Sequence, residues 1–269
     1  MKIGIIGYGV VGKAAAHTLS KKYKIVKFDK YAEYDKFEDF EQCDFVFISV
    51  PTPFDCDKNK VDESAITESL DKLEKIDFVN IVIIKSTVPP GACNRYSEKY
   101  NLNIVFNPEF LRESTTPNED FENQDTIVIG TDNSETFESV KKMYQAVSVP
   151  HARYYHTTTT EAEMIKCAQN TMLASRVALA NMIYDACQNH GIEYDKIRQI
   201  AFDNFEILGP HMVQVPGPDG KRGFGGKCLP KDVRGFSTIH DSELLRKIIE
   251  YNDSLRDDLD KFLMNFKKS

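Results

Sequence analysis

The stretch of this chain best suited to covalent chemistry runs from Gly223 to Asp232 and reads GFGGKCLPKD. Its three glycines permit positive φ angles and let the backbone approach a ligand closely. Pro230 is typical of the start of a helix, and a thiol at a helix N-terminus beside lysine is favoured as thiolate, the form that attacks a carbonyl carbon. The stretch therefore indicates Cys228 as a nucleophile on a ligand-contacting loop.

A plainer interpretation of the same stretch is a glycine-rich surface turn that carries an inert cysteine, because intracellular cysteines are often small core residues. The stretch alone leaves both interpretations open. The six cysteines show neither CxxC nor Cys/His spacing. This scatter argues against a disulfide framework and against structural zinc, so we predict no metal site.

The N-terminus follows the strand, turn and helix order of a dinucleotide-binding fingerprint. A short apolar strand precedes GYGVVG at residues 7–12, and a second strand, Lys24 to Phe28, ends at an aspartate. In this context the glycines form the tight turn and admit a pyrophosphate, and the acidic residue accepts the ribose hydroxyls. The pattern predicts NAD rather than NADP, bound by Gly7, Gly9, Val10, Val11, Gly12 and Asp29.

Three further apolar runs end in polar or proline-rich segments, as buried parallel strands do. They cover residues 45–50, 81–85 and 104–106, and the segments that follow read PTP, STVPPG and NPEFLRE. The carboxyl ends of parallel strands meet at one edge of a sheet, where ligands bind. The sequence therefore places hydroxyl and carboxylate side chains at this edge.

A long helix is predicted from Thr157–Thr160 to about His190, opened by two overlapping capping boxes, Thr158 to Glu161 and Thr160 to Glu163. Its start marks the predicted domain boundary. The fold class is α/β: a Rossmann doubly wound parallel sheet at residues 1–156, then a smaller all-helical domain at 157–269 with one long connecting helix.

Glu163, Lys166 and Asn170 lie along one face of this helix, since residues three and four apart are neighbours. One interpretation is a solvated stripe on an amphipathic helix. The other is a set of polar side chains in a helix buried on several sides, where each needs a partner. The apolar residues around them leave both open.

Composition excludes several classes of function. The chain has 269 residues, which suggests about two domains, and a net charge of −7 without a basic patch, so nucleic acid is not an expected partner. No apolar run approaches the roughly 18 to 20 residues of a membrane span, and no signal peptide is evident. We expect a cytoplasmic protein that does not bind membranes.

Six motifs together resemble the UDP-glucose/GDP-mannose dehydrogenase family: GYGVVG, SVPTP, KSTVPPG, NPEFLRE, AEMIKCAQN and GFGGKCLPKD, in that order. The resemblance extends over residues 1 to about 255. It implies a Rossmann domain, a central helical domain that forms a homodimer, NAD as cofactor, and oxidation of a nucleotide sugar C6 alcohol to the uronate, with UDP-glucose as the first candidate.

The resemblance also assigns roles to individual residues. Cys228 is implied as the nucleophile, Lys166 as oxyanion stabiliser, Asp232 as base acting with a water, and Glu109 as the carboxylate that assists thioester hydrolysis. The implied catalytic set is Cys228, Lys166, Asp232, Glu109 and Thr87. Further implied NAD contacts are Thr52, Thr87, Glu113 and Lys231. Implied substrate contacts are Glu109, Phe110, Leu111, Lys166, Asn170, Gly223, Phe224 and Gly225.

The chain also departs from the family pattern. It ends near Ser269, where the family's linker would lead into a C-terminal nucleotide-sugar domain, and Thr126 and Ile207 stand where family members carry arginine. Three hypotheses follow: a nucleotide-sugar 6-dehydrogenase of reduced size, a non-catalytic NAD-binding module that pairs with a full-length dehydrogenase, and a two-electron hydroxyacid dehydrogenase.

Overall fold

The computed structural model describes residues 1–112, 116–205, 208, 212–240 and 242–256. The chain divides into two compact units. Unit 1 comprises Met1–Thr52 and Asp62–Lys166, and unit 2 comprises Pro53–Val61 with the described residues from Cys167 onward.

Unit 1 alternates strands with helices. Its elements are β1 (Lys2–Ile6), α1 (Val10–Leu19), β2 (Lys24–Phe28), a 3₁₀ helix (Phe37–Gln42) and β3 (Phe45–Ile48). Between β3 and the next helix the chain forms two short strands, β4 (Phe54–Asp55) and β5 (Lys60–Val61), which belong to unit 2. Unit 1 then continues through α2 (Ser64–Lys75), β6 (Ile81–Ile84), α3 (Ala92–Lys99), β7 (Asn103–Phe106), α4 (Pro117–Glu122), β8 (Thr126–Gly130), α5 (Ser134–Gln145) and β9 (Arg153–Thr157).

Seven strands form one sheet in the order β2-β1-β3-β6-β7-β8-β9. All neighbouring pairs are parallel except β7 and β8, which meet antiparallel at Phe106 and Gly130. Among the described residues of the connection between these two strands, the six-residue α4 is the one helix, and it packs on α1. The predicted α/β architecture is confirmed, with this one antiparallel pair added.

The core of unit 1 lies on both faces of the sheet, because residues of each strand alternate between the faces. On one face Ile48, Val82 and Ile84 pack with Leu70 of α2. On the other, Ile3 and Ile5 pack with small residues of α1 and with Tyr144 of α5. The loops that follow the strands are thereby held on a rigid base.

The long helix α6 (Thr159–Asn189) starts in unit 1 and continues into unit 2. Unit 2 further contains α7 (Tyr194–Arg198), a π-helical turn (Gln199–Asp203), α8 (Leu229–Ile239) and α9 (Glu243–Leu255). The sequence of residues 195–203 predicts a single helix, and the structure divides this segment into an α turn and a π turn. The sequence also predicts a last helix over residues 243–263. In the structure this helix reaches Leu255, and residues 257–263 lie outside the described residues.

The hairpin of β4 and β5 packs on α8. Phe54 and Val61 are buried against each other, and a Cβ atom at Gly235 of α8 would lie 3.2 Å from Cγ2 of Val61. A segment that follows β3 in the chain therefore contributes to unit 2, which no local sequence pattern indicated.

Candidate functional site

Two of the three glycines in the turn after β1 are required by the protein's own packing. Gly7 has φ +87°, and a Cβ atom there would lie 2.5 Å from the Ser49 carbonyl oxygen. A Cβ atom on Gly12 would lie 2.1 Å from the carbonyl oxygen of Gly7. At Gly9 a Cβ atom would meet nothing within 4 Å. Gly9 thus leaves open space at the start of α1, where a ligand can approach the backbone.

The N-terminus of α1 has no side-chain cap, and its first turn carries no acidic residue. Its backbone N–H groups are therefore suited to an anion such as a diphosphate. Asp29, directly after β2, accepts hydrogen bonds from the backbone N–H groups of Tyr8 at 2.7 Å and Tyr31 at 2.9 Å. These bonds fix a carboxylate next to the glycine turn. The open turn, the uncapped helix and the acidic residue fit an NAD molecule.

The loops after β3 and β6 meet, as the polar sheet edge in the sequence predicts. The hydroxyl of Thr52 donates to the carbonyl of Thr87 at 2.8 Å, and that of Ser86 donates to the carbonyl of Val50 at 2.7 Å. Thr52 and Thr87, both predicted NAD contacts, are therefore adjacent. Glu113, the third such prediction on this edge, lies outside the described residues.

Glu109 is the centre of a buried polar network after β7. One carboxylate oxygen accepts from the backbone N–H groups of Phe110 at 2.9 Å and Leu111 at 3.2 Å. The other carboxylate oxygen forms an ion pair with Nζ of Lys85 at 3.0 Å, although the two groups are not aligned as in a hydrogen bond. The Lys85 side chain is fully buried and donates to Oδ1 of Asn107 at 2.8 Å. A carboxylate can remain buried here because a cation accompanies it.

Tyr144 completes this network from α5, donating to the same Asn107 oxygen at 2.6 Å. Burial raises the pKa of the Tyr144 hydroxyl, so it acts as a donor. The sequence did not single out Lys85 or Tyr144. For Lys85, the available signal was a lysine at the end of an otherwise apolar run of residues.

Lys166 and Glu163 point into unit 1 from the first turns of α6. Nζ of Lys166 donates to the backbone carbonyl of Glu109 and lies 5.3 Å from the centre of the Phe110 ring. Glu163 is fully buried, and its carboxylate accepts from the N–H groups of Gly91 at 2.5 Å and Cys93 at 2.8 Å, at the start of α3. The interpretation of this face as a solvated stripe is therefore wrong at Glu163.

One of the two predicted capping boxes is present. Thr158 and Glu161 exchange both bonds, from Thr158 N to the Glu161 carboxylate at 2.8 Å and from Glu161 N to Thr158 Oγ1 at 3.2 Å. The second box is wrong, because α6 starts at Thr159 and the carboxylate of Glu163 binds the backbone of α3 instead. Burial raises the pKa of the Glu163 carboxyl group. Its hydrogen bonds to Cys93 and Gly91 lower the pKa, but burial has the larger effect.

In unit 2, Cys228 is the exposed residue that immediately precedes α8, and its carbonyl accepts from the N–H of Asp232 at 2.8 Å. The Asp232 carboxylate is almost fully buried. It lies 2.6 Å from Nζ of Lys231 and accepts a hydrogen bond from the side-chain amide of Asn170 on α6. Unit 2 therefore gathers three predicted site residues, Asn170, Lys231 and Asp232, at the first turn of the helix that follows the predicted nucleophile.

Other predicted site residues have a different environment. The Phe224 ring is buried in the core of unit 2 with Ala174, Ala178 and Val233. Lys166 ends unit 1 and Cys228 belongs to unit 2, so the predicted cooperation of these two side chains stays a prediction. Within the described ranges, no group of three or more His, Cys, Asp or Glu side chains is arranged to bind a metal ion.

The glycine-rich segment before Cys228 is held by residues that the sequence did not indicate: Asn181 of α6, Asn252 of α9 and Arg256 just after α9. For Asn252 the available signal was its helical spacing from Leu245, Ile248 and Ile249, which places an asparagine on the apolar face of α9. None of the described helices combines the length and apolar character needed to cross a membrane.

The sheet, the open glycine turn and the acidic residue after β2 define a Rossmann-type dinucleotide-binding protein with a second, helical unit. Residues 26–148 match the NAD binding domain of the UDP-glucose/GDP-mannose dehydrogenase family, and residues 160–254 match its central domain. The chain belongs to this family, which confirms the resemblance seen in its motifs and the prediction of an NAD-binding domain.

Individual relatives agree with this assignment. The chain is 32% identical over 226 residues to the UDP-glucose 6-dehydrogenase of Rickettsia prowazekii, covering 80% of this chain and 50% of that protein. It is 30% identical over 227 residues to that of Bacillus subtilis, covering 79% and 49%. The chain thus spans about half the length of the curated relatives it matches.

Solved structures show the same fold at lower identity. A UDP-glucose dehydrogenase from Pyrobaculum islandicum superposes with a TM-score of 0.80 at 22% identity, over 94% of this chain and 68% of that one. A UDP-D-ManNAc dehydrogenase from Pyrococcus horikoshii gives 0.81 at 22% identity, over 95% and 69%. These likenesses support the architecture.

Proposed function

We propose that the chain carries out the NAD-dependent four-electron oxidation of a nucleotide sugar C6 alcohol to the uronate, with UDP-glucose as the first substrate to test. The observation that carries the proposal is the arrangement at α8. Cys228 stands at the N-terminus of this helix, and Asp232, one turn on, is buried between Asn170 and Lys231. A thiol and a held carboxylate one turn apart supply a nucleophile and a base.

Each residue has a chemical task in this proposal. NAD, held by the glycine turn and Asp29, would supply the hydride acceptor, with one NAD molecule used for each of the two oxidation steps. Asp232, acting with a water, takes the proton of the alcohol as the aldehyde forms. The Cys228 sulfur then adds to the aldehyde carbon, and the thiol proton passes to the carbonyl oxygen, giving a thiohemiacetal. In the second oxidation the C–H bond of this adduct breaks with loss of a hydride and its hydroxyl group loses a proton, which leaves a thioester on Cys228.

Hydrolysis regenerates the enzyme. Water adds to the thioester carbon, the C–S bond breaks, and the carboxylate product leaves while Cys228 recovers its proton. Glu109 is proposed to assist this step, and Lys166 to stabilise the oxyanions that form on the carbonyl oxygen. The buried Lys85 ion pair supports the role of Glu109, because it keeps this carboxylate in a fixed orientation.

We also propose a homodimer formed through α6. Leu179 and Met182 follow Met172 by seven and ten residues, so the three side chains lie on one side of the helix. Each of them exposes half or more of its surface. Exposed apolar side chains aligned in this way mark a protein interface. Light scattering of wild type and of Leu179→Glu tests this proposal, since the variant is expected to shift the mass toward that of one chain.

The decisive experiment measures NADH formed per sugar consumed with UDP-glucose, UDP-N-acetylhexosamines and GDP-mannose. We expect two NADH per molecule of one of these substrates. Cys228→Ser is expected to bind NAD normally and to make no uronate, whereas Cys56→Ser, at the other exposed cysteine, retains activity. Full uronate production by Cys228→Ser would refute the covalent mechanism. Absence of turnover with every substrate would favour a non-catalytic NAD-binding module.

A further inference from the structure

The backbone of Phe224, four residues before Cys228, is bound by a single buried side chain. Asn252 of α9 is fully buried. Its Oδ1 atom accepts from the N–H of Phe224 at 2.6 Å, and its Nδ2 atom donates to the carbonyl of Phe224 at 3.1 Å. An amide side chain thus takes the place of a neighbouring strand. Buried backbone polar groups need such partners, so the contact fixes the conformation of the segment at this residue.

Arg256 binds the residues immediately upstream. Its side chain is 1% exposed, and one guanidinium nitrogen lies 3.3 Å from the carbonyl oxygens of both Arg222 and Gly223. The other nitrogen donates to the Asp219 carboxylate at 2.8 Å. Asp219 belongs to the segment PGPDGK at residues 216–221, which is not part of any of the six family motifs. The pairing gives this turn a task, which is to supply the counter-ion for a buried guanidinium.

A third contact comes from α6. Oδ1 of Asn181 accepts from the N–H of Gly223 at 3.1 Å, and Asn181 is 1% exposed. The N–H groups of Gly223 and Phe224 and the carbonyls of residues 222 to 224 are therefore all bonded to side chains from other parts of unit 2. Surface loops usually leave such groups to water, so this segment is unusually well defined for a loop.

Two glycines of the segment are explained by these side chains. A Cβ atom on Gly223 would lie 2.6 Å from Oδ1 of Asn252, and one on Gly225 would lie 2.4 Å from Cζ of Arg256. Gly223 also has φ +74°. Both positions must lack a side chain because Asn252 and Arg256 occupy the space. This requirement exists independently of any substrate.

We propose that Asp219, Asn181, Asn252 and Arg256 form a loop clamp whose role is to position Cys228. The inference rests on the proposed function, since it assigns the clamp to the presentation of the nucleophile. Asn181, Asn252 and Arg256 act through the backbone of residues 222–224, and Asp219 acts through Arg256, so all four are positioning residues. A nucleophile on a loop attacks efficiently only when supporting contacts hold that loop in the productive geometry.

The test compares Asn252→Ala, Arg256→Lys and the milder Asp219→Asn with the matched control Lys247→Gln, which alters an exposed ion pair on α9. Amide hydrogen exchange reads the clamp directly. We expect exchange at Gly223 and Phe224 to rise at least tenfold in Asn252→Ala and to stay at the wild-type rate in Lys247→Gln. Melting curves verify that each variant is folded at the assay temperature.

Kinetics with the nucleotide sugar test the positioning role. We expect kcat to fall about 10- to 100-fold in Asn252→Ala and less in Arg256→Lys, in line with a misplaced reacting group. The dissociation constant for NAD should stay within twofold of wild type. A merely structural clamp would lower the melting temperature and leave kcat unchanged, and that result overturns the inference, as does unchanged exchange at Phe224.

Failure of the proposed function is distinguishable from failure of the clamp. If the wild-type chain oxidises no nucleotide sugar, or if Cys228→Ser is fully active, the covalent mechanism is refuted and with it the catalytic role of the clamp. Hydrogen exchange at Phe224 would still decide whether the clamp holds the loop in solution.

Discussion

Gly9→Ala separates ligand binding from folding in the glycine turn. Gly9 has φ −77° and ψ −156°, a backbone conformation open to any residue, and its Cβ atom would meet nothing within 4 Å. The new methyl group therefore occupies only the space at the start of α1 where a diphosphate must approach. Gly12→Ala serves as the contrast, because its Cβ atom would lie 2.1 Å from the Gly7 carbonyl oxygen.

These distances set the expected magnitudes. Without a clash, Gly9→Ala should leave the free energy of unfolding within about 1 kcal/mol of wild type, with a small gain from the reduced entropy of the unfolded chain. Its NAD affinity should fall at least about tenfold, or about 1.4 kcal/mol. Gly12→Ala should lose about 3 kcal/mol of stability, the upper part of the range for overpacking, because the group it meets is backbone.

Urea unfolding and calorimetric NAD titration of the three proteins provide the measurement. Gly9→Ala is expected to fold like wild type and to bind NAD weakly, while Gly12→Ala unfolds at lower urea concentration. The reasoning would be refuted if Gly9→Ala bound NAD as tightly as wild type, or if it were destabilised as much as Gly12→Ala.

Three further predictions concern buried or paired charges. Lys85→Met leaves the Glu109 carboxylate buried without its cation, so urea unfolding should show a loss of about 3 to 5 kcal/mol, and a loss below about 1 kcal/mol would contradict the ion pair. Burial raises the pKa of Glu163 above its ordinary value of 4.5, so its contribution to stability is complete below pH 4.5 and is lost as the pH rises through the folded-state value. The melting temperature of wild type relative to Glu163→Gln should therefore fall over that window, and a constant difference would contradict the prediction. The hydrogen bond from Arg112 lowers the pKa of Asp120 to about 2, so its contribution is present above pH 3.8 and is lost as the pH falls through 2. Asp120→Asn should accordingly lower the melting temperature at pH 7, by an amount that shrinks in acid, and an equal effect at both pH values would contradict the pairing.

Several features of unit 1 could be predicted from sequence because they depend on local chemistry. The strand Lys24–Phe28 and the capping box of Thr158 with Glu161 agree with the structure residue by residue. Apolar runs, turn glycines and capping pairs act over a few residues, so a local pattern carries them. The family motifs likewise identified the fold and the NAD-binding domain.

Partners distant along the chain could not be predicted. Glu163 matched a capping box as well as Glu161 did, yet its carboxylate binds the start of α3, 70 residues away. Asn252 gave no signal beyond its position on the apolar face of α9, although it fixes the backbone four residues before Cys228.

The sequence by itself determined the alternation of strands and helices in unit 1, the glycine turn and the types of residue able to do chemistry. Only the tertiary structure decided which polar groups are paired, and so which glycines serve packing and which leave space for a ligand. The physical reason is that a buried polar group must find a partner wherever the fold supplies one. Hydrophobic periodicity specifies which face of an element is buried, but it carries no information about the particular donor or acceptor that face will meet.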